Sequence, residues 1–315
     1  MNRRNLILKF GLFASLLSVT ADGQTPPSSG TACQNIVVMT CNVRTPHDVD
    51  LKAGDGWQDR KDLCIDAIRK QHPDIIGFQE CAKIQFNDLH AAFPDYATYS
   101  LNGESALSDD PFEVIFVSPR FIVANAAGYW LSETPNVPGS MSWDNSKHPR
   151  VLNWMRIIDK DSGVQLRILN THLDHKGKTA REQSARLINA DAKAFPADFP
   201  QILTGDLNVD ATSPAIAALK QGGWIDTYTQ VNGPQEPGYT AHDFLGERFA
   251  GTPRDNKGRI DWIFCRGNVK PLSSTVLRDH RGDHYPSDHY FVIAEIQVTA
   301  ASAPASSSAG KDAGF

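Results

Sequence analysis

Short apolar, β-branched runs recur along this chain, and six of them carry polar side chains at one edge. VVMTCN ends at Asn42, DIIGFQE at Glu80, LNTHLDH holds His172 and Asp174, and ILTGDLN holds Asp206 and Asn208. GRIDWIF carries Asp261, and YPSDHY carries Asp288 and His289. Runs of this kind read as buried strands. Open α/β folds gather their sites at the carboxyl edges of strands, so the pattern predicts one site assembled from six strands.

The segments between these runs supply helices. Residues 59–71 read as a helix with Leu63, Ile65 and Ile68 on its apolar side, stopped by His72-Pro73. Further helices are expected over 82–92, 179–194 and near 214–221, and strands over 36–42, 74–79, 113–118, 121–130, 151–158, 164–171, 200–205, 259–265, 269–277 and 289–298. Many consecutive strands with intermittent helices indicate mixed sheets covered by helices. The chain's 315 residues, 41% of them hydrophobic, are enough for one large α/β domain.

The ends differ from this body. Residues 1–21 have a basic start, an apolar run from Leu6 to Val19 and a V-x-A pattern ending at Ala21, the layout of a secretory signal peptide. Residues 22–35 read as a flexible linker, 36–298 as the folded domain and 299–315 as a disordered Ala/Ser-rich tail. The expected location is periplasmic or secreted, as a monomer with no transmembrane segment in the mature chain. Five cysteines form no CxxC pair or zinc spacing, so buried apolar roles are expected, with one disulfide left open.

The polar set has a definite chemistry. Glu80, Asp206, Asp261 and Asp288, with the amides of Asn42 and Asn208, offer the oxygen ligands that Mg²⁺ or Mn²⁺ prefers; zinc favours more His and Cys. A histidine held by a carboxylate stays protonated and can donate to a phosphoryl oxygen. Neighbouring strand residues face opposite sides, so the expected partner of His289 is Asp261, not Asp288.

The ordered series N, QE, NTHLD, GDLN, RIDWIF and SDH, spanning roughly residues 36–297, resembles the endonuclease/exonuclease/phosphatase superfamily, with its DNase I-like fold. The resemblance implies an α/β fold, a four-layer sandwich of two packed mixed β-sheets flanked by helices. It also implies Asn42, Glu80 and Asp288 at the metal, His172 and Asn208 at the phosphate, Asp206 orienting the attacking water, and Asp261 holding His289. Other segments resemble a bacterial subgroup of secreted metal-dependent hydrolases: GWQDRKDL, YWLSETPNVPGSMSW and PRVLNW.

Arg44 stands where several superfamily nucleases have an acidic residue, which favours a single metal. It can meet the phosphate or serve as a structural ion-pair partner. Arg44, Arg60, Arg150 and Asp174 are the candidate substrate contacts, with Trp130, Trp143 and Trp154 at the pocket rim. The long loop LSETPNVPGSMSWDNSKHP is expected to act as a lid over the substrate.

A net charge of −5 falls to −8 if the segment carrying Arg3, Arg4 and Lys9 is removed, and no long basic cluster is present. Tight nucleic-acid binding needs many phosphate contacts, so a nuclease is not favoured. The expected activity is an Mg²⁺-dependent phosphoesterase acting on a phosphorylated small molecule or lipid head group, monoester or diester. A non-catalytic surface binding protein on a decayed enzyme fold is the alternative from another class.

Overall fold

The computed structural model describes residues 33–104, 110–144, 146, 148–251 and 258–301. The expected signal peptide, most of the linker and nearly all of the tail lie outside the described residues.

Two six-stranded mixed sheets make the body. Numbered in chain order, the first sheet runs β11 (Val269–Val276), β12 (Val292–Thr299), β1 (Cys33–Asn42), β2 (Ile75–Cys81), β4 (Phe112–Val117) and β3 (Ala97–Tyr99). The second runs β5 (Phe121–Trp130), β6 (Val151–Asp159), β7 (Gln165–His172), β8 (Gln201–Asp206), β10 (Asp261–Arg266) and β9 (Ile225–Asp226). One parallel pair lies at the heart of each sheet, β1 with β2 and β7 with β8; all other pairings are antiparallel.

Alternation along each central strand supplies both faces of its sheet. Ile36 and Val38 of β1 join Ile168 of β7, Ile202 of β8 and Ile296 of β12 in the core between the sheets. Met39 and Cys41 of β1 turn outward against Cys64, Ile65 and Ile68 of α2 (Trp57–Arg69) and Leu89 of α3 (Lys83–Ala92). On the far side, Leu169 and Leu203 pack on Ile188 of α5 (Lys178–Ala192) and Ile216 and Leu219 of α6 (Pro214–Gln221). Strands buried on both faces read as continuous apolar runs, and burying each such side chain is worth roughly 1.5–3 kcal/mol. The four layers are helix, sheet, sheet, helix.

Cys41, Cys64, Cys81 and Cys265 are buried free thiols within these layers. Burial pushes the Cys64 and Cys265 thiols up to about 12, so both stay protonated and inert.

Under the site the sheets touch through polar groups. Gln79 donates from Nε2 to Asn170 Oδ1 at 2.7 Å and to Thr40 Oγ1 at 3.0 Å, and Asn170 donates to the Phe78 carbonyl at 2.8 Å. Gly77 permits this approach, because a Cβ there would lie 2.2 Å from Thr204 Oγ1 and 2.5 Å from Asn170 Oδ1. A buried network with all these bonds made locks the register of one sheet on the other.

Candidate active site

Strand direction explains which residues meet. Asn42, Glu80, His172 and Asp206 lie at or next to the carboxyl ends of β1, β2, β7 and β8. Asp261 instead begins β10, which runs antiparallel to β8 and pairs Asp261 with Asp206. Asp288 and His289 precede β12, whose first residue is Val292. The expectation of six carboxyl edges is therefore corrected: antiparallel strands bring their amino ends to the same rim. The expected strand start at residue 289 is corrected likewise, since β12 opens three residues later.

Asp206 is the hub. Its Oδ2 accepts from Asn42 Nδ2 at 3.0 Å, and lies 3.4 Å from His172 Nε2 and 4.0 Å from His289 Nε2. Asn42 Nδ2 also reaches Glu80 Oε1 at 3.1 Å, and Glu80 Oε2 accepts from the Thr45 amide at 3.1 Å. His289 Nδ1 meets Asp261 Oδ2 at 2.9 Å, the expected pairing. Asn208 donates its backbone N–H to Asp206 Oδ1 at 2.9 Å and places its side-chain nitrogen 2.8 Å from His172 Nε2.

Backbone strain re-aims three of the motif residues. Arg44 (φ 54°), Glu80 (φ 59°) and Asn208 (φ 54°) are left-handed. Glu80 sits where the β2–β4 register slips between Phe78 and Cys81, a bulge that turns its carboxylate into the site. Such conformations cost of order 1 kcal/mol or more each and persist where the surroundings fix them.

The two histidines differ in charge. Burial opposes a proton on His289, but Asp261, Asp288 and Asp206 outweigh it and raise its pKa well above the ordinary value. His172 is pushed well below by burial and by Arg150, His289 and His175, so it is neutral. Asp206 is raised to about 7 by burial and by the Asp261 and Glu80 carboxylates, against the pull of His289 and Asn208. Burial also favours a proton on Glu80, yet His289, Asn42, Thr45 and Arg44 together hold it below the usual range.

The donor set fits a hard divalent cation. Burial and neighbouring Glu80 raise Asp288 as well as Asp206, and Asp261 Oδ1 is buried with no hydrogen-bond partner among the described residues. Crowded buried carboxylates of this kind are what a dication neutralises. Ligand atoms converge within 4.8 Å in two groups: Glu80, His172 and Asp206, and Asp206, Asp261 and His289. Asp288, expected at the metal, stands outside both and faces Arg44 Nη1 at 3.3 Å.

The substrate contacts expected from sequence divide. Arg44 grips Asp50 through two bonds of 2.8 and 3.1 Å in addition to Asp288, the ion-pair alternative. Arg60 is corrected: it is 2% exposed and spends its donors on the carbonyls of Asp55, Arg44 and Pro286, tying the Asn42 and Asp288 loops together. Asp174 is corrected as well, because it accepts the Lys176 and Gly177 amides at 2.8 and 2.6 Å and the Ser146 hydroxyl, closing a turn. Arg150 is half-buried beside the cavity-lining His175, its Nη2 3.4 Å from His175 Nδ1 and its buried Nε without a hydrogen-bond partner among the described residues.

Trp130 and Trp154 belong to the packing, and Trp143 is half-buried in the loop that follows β5. Trp154 lies against the helix-covered core with the Arg167 guanidinium 4.6 Å from its ring centre, and Trp130 is buried. The 131–149 loop is pinned by Ser146 to Asp174 and by Asp144 to the Ala180 amide at 3.1 Å. Among the described residues, none of that loop lines the cavity at the site.

Sequence reasoning missed several supports. Thr240 Oγ1 accepts the Ile260 and Asp261 amides at 2.9 and 3.2 Å, and Gln85 Nε2 donates to the Val43 and Arg44 carbonyls at 2.9 Å each. Neither lies in a strand-edge motif, so nothing in a single sequence marks it.

Comparisons with known proteins agree with this geometry. A mimivirus protein, "Uncharacterized protein L388" of Acanthamoeba polyphaga mimivirus, is 32% identical over 167 residues, covering 49% of this chain and 60% of its own length. An endonuclease/exonuclease/phosphatase family protein from Bacteroides thetaiotaomicron superposes with a TM-score of 0.74 at 31% identity, over 84% of this chain and 98% of its own. A mannosyl-6-phosphatase from the same organism gives 0.73 at 31%, over 83% and 99%. D. rerio TDP2, complexed with single-strand DNA product, shares the fold with a TM-score of 0.64 at 19% identity, over 83% and 98%. Residues 39–289 match the Endonuclease/Exonuclease/phosphatase family throughout, and the chain belongs to that family.

Proposed function

We propose that this chain is an exported phosphoesterase that uses one Mg²⁺ to hydrolyse the phosphate ester of a small molecule, a sugar phosphate foremost. One observation carries the reading. Asp206 stands between a neutral and a cationic histidine, 3.4 and 4.0 Å away, with its own pKa raised to about 7. A base needs a pKa near working pH, and a transferring phosphoryl group needs a fixed cation beside it.

Each residue then has one task. Asp206 takes the proton of a water aimed in line at phosphorus. His289, charged through Asp261, donates from Nε2 to the phosphoryl oxygens as their charge grows. Asn208 and His172 orient the phosphate from the opposite side. Glu80, with Asn42 beside it, would hold the divalent ion, which supplies charge neutralisation at the phosphoryl group. Arg44, occupied by Asp50 and Asp288, fixes the loop where a second ion would need a ligand, consistent with one metal.

The likeness to a mannosyl-6-phosphatase at 31% identity supports a sugar monoester. A cavity of about 370 Å³ at the site suits a compact ligand. Phosphate release should be screened on mannose 6-phosphate, inositol phosphates, nucleotides, bis-p-nitrophenyl phosphate, sphingomyelin and single- and double-stranded DNA, with Mg²⁺ and with EDTA. The expected result is EDTA-sensitive turnover, best on the sugar ester; best turnover on DNA would overturn the substrate class. Export is tested by fractionating cells that express the full chain, and retention in the cytoplasm would contradict it.

A further inference from the structure

Together with Asn208, Asp288 and His289, the cavity at the site is lined by residues the mechanism leaves unused: Tyr239, Asp243, Phe249 and His175. Tyr239 and Phe249 pack edge to face, ring centres 5.1 Å apart at 89°, giving one wall two aromatic rings. Asp243 (φ 49°) and Phe244 (φ 56°) are consecutive left-handed residues. Bonds from the His242 and Asp243 amides to the Asp288 carbonyl, 2.7 and 3.2 Å, hold that turn. The turn buries Phe244 and leaves Asp243 exposed on the cavity, with no side-chain partner among the described residues. On the same cavity, His175 has its Nδ1 engaged by Arg150 at 3.4 Å, and burial and Arg150 lower its pKa, leaving Nε2–H as a neutral donor.

We propose that these lining residues form the leaving-group subsite, suited to an uncharged, hydroxyl-rich ring, with Asp243 accepting ring hydroxyls, His175 donating to them and Tyr239 and Phe249 packing on the ring's C–H face. Hydroxyls both donate and accept, so one ligand class satisfies both Asp243 and His175. A second phosphate would face the Asp243 carboxylate at short range, which disfavours nucleoside polyphosphates and nucleic-acid strands. The faces of the two aromatic rings add apolar contact. The inference rests on the phosphomonoesterase reading and assigns the discrimination within it.

The test is the ratio of kcat/KM for mannose 6-phosphate to that for butyl phosphate, which lacks ring hydroxyls, measured by phosphate release with Mg²⁺. Asp243→Asn keeps a side chain that tolerates left-handed backbone, and is expected to lower the ratio about tenfold or more, the worth of a hydrogen bond to a charged group. Phe249→Ala should lower it as well. An active wild type whose ratio neither variant moves overturns the subsite alone. A wild type inert towards both esters contradicts the phosphomonoesterase reading and the subsite together.

Discussion

Asp206 shows how one residue carries opposite demands. Folding buries its carboxylate beside Asp261 and Glu80 and raises its pKa to about 7, against an unfolded value near 4. The folded state therefore binds more protons than the unfolded one between those values, and this group's contribution to stability falls as pH rises from about 4 to about 7. Without added cation, Asp206→Asn should raise Tm at pH 8 by a few degrees while reducing turnover by about two orders of magnitude or more; lower Tm in calorimetry would contradict the sign. The same ionisation predicts an acid limb in kcat/KM near pH 7 that moves lower as the divalent cation, which favours the charged carboxylate, is bound. The residues that meet around Asp206 were legible because each closes or opens an apolar run. Arg60 and Asp174 were misread because burial and backbone bonding, not charge, decide what they do, and a sequence shows only the charge.

At the scale of elements, direction and register build the site. The helices and long strands were legible from periodicity, including α6, whose Ser213 cap and Pro214 start it sharply. Short pieces were not: β3, β9, α1 (Asp48–Ala53), α4 (Leu101–Glu104) and α7 (Thr227–Asn232) run from two to six residues and carry too little periodic signal. Nor was the antiparallel course of β10, which depends on how the chain crosses the sheet. Where the sheets nearly touch, Gly77→Ala would force a methyl group against Thr204 and Asn170. A loss of about 1–3 kcal/mol in urea unfolding is expected, and an unchanged midpoint would contradict the close packing. Arg60→Met should cost more, about 3–5 kcal/mol, because the carbonyls of Asp55, Arg44 and Pro286 lose their shared donor at once.

For the whole molecule, the sandwich brings the motif residues to one rim, beside a cavity of about 370 Å³ in a chain of net charge −5, features that favour the compact ligand proposed. Carboxylates crowded there are a liability that a bound dication removes, so Mg²⁺ should raise Tm, its stabilisation growing with the logarithm of its concentration above Kd and reaching about 2.7 kcal/mol at a hundredfold excess. Fluorimetric melts with and without EDTA read this directly, and no shift would argue against a metal at this rim. The function proposed for this rim is metal-dependent hydrolysis with His289 as the charged donor. Its most direct test is kcat/KM for phosphate release from mannose 6-phosphate, wild type against His289→Ala, with Mg²⁺ and with EDTA. A fall of about a hundredfold or more in the variant, and loss of wild-type turnover in EDTA, is predicted; equal rates in variant and wild type, or turnover that persists in EDTA, would contradict the account.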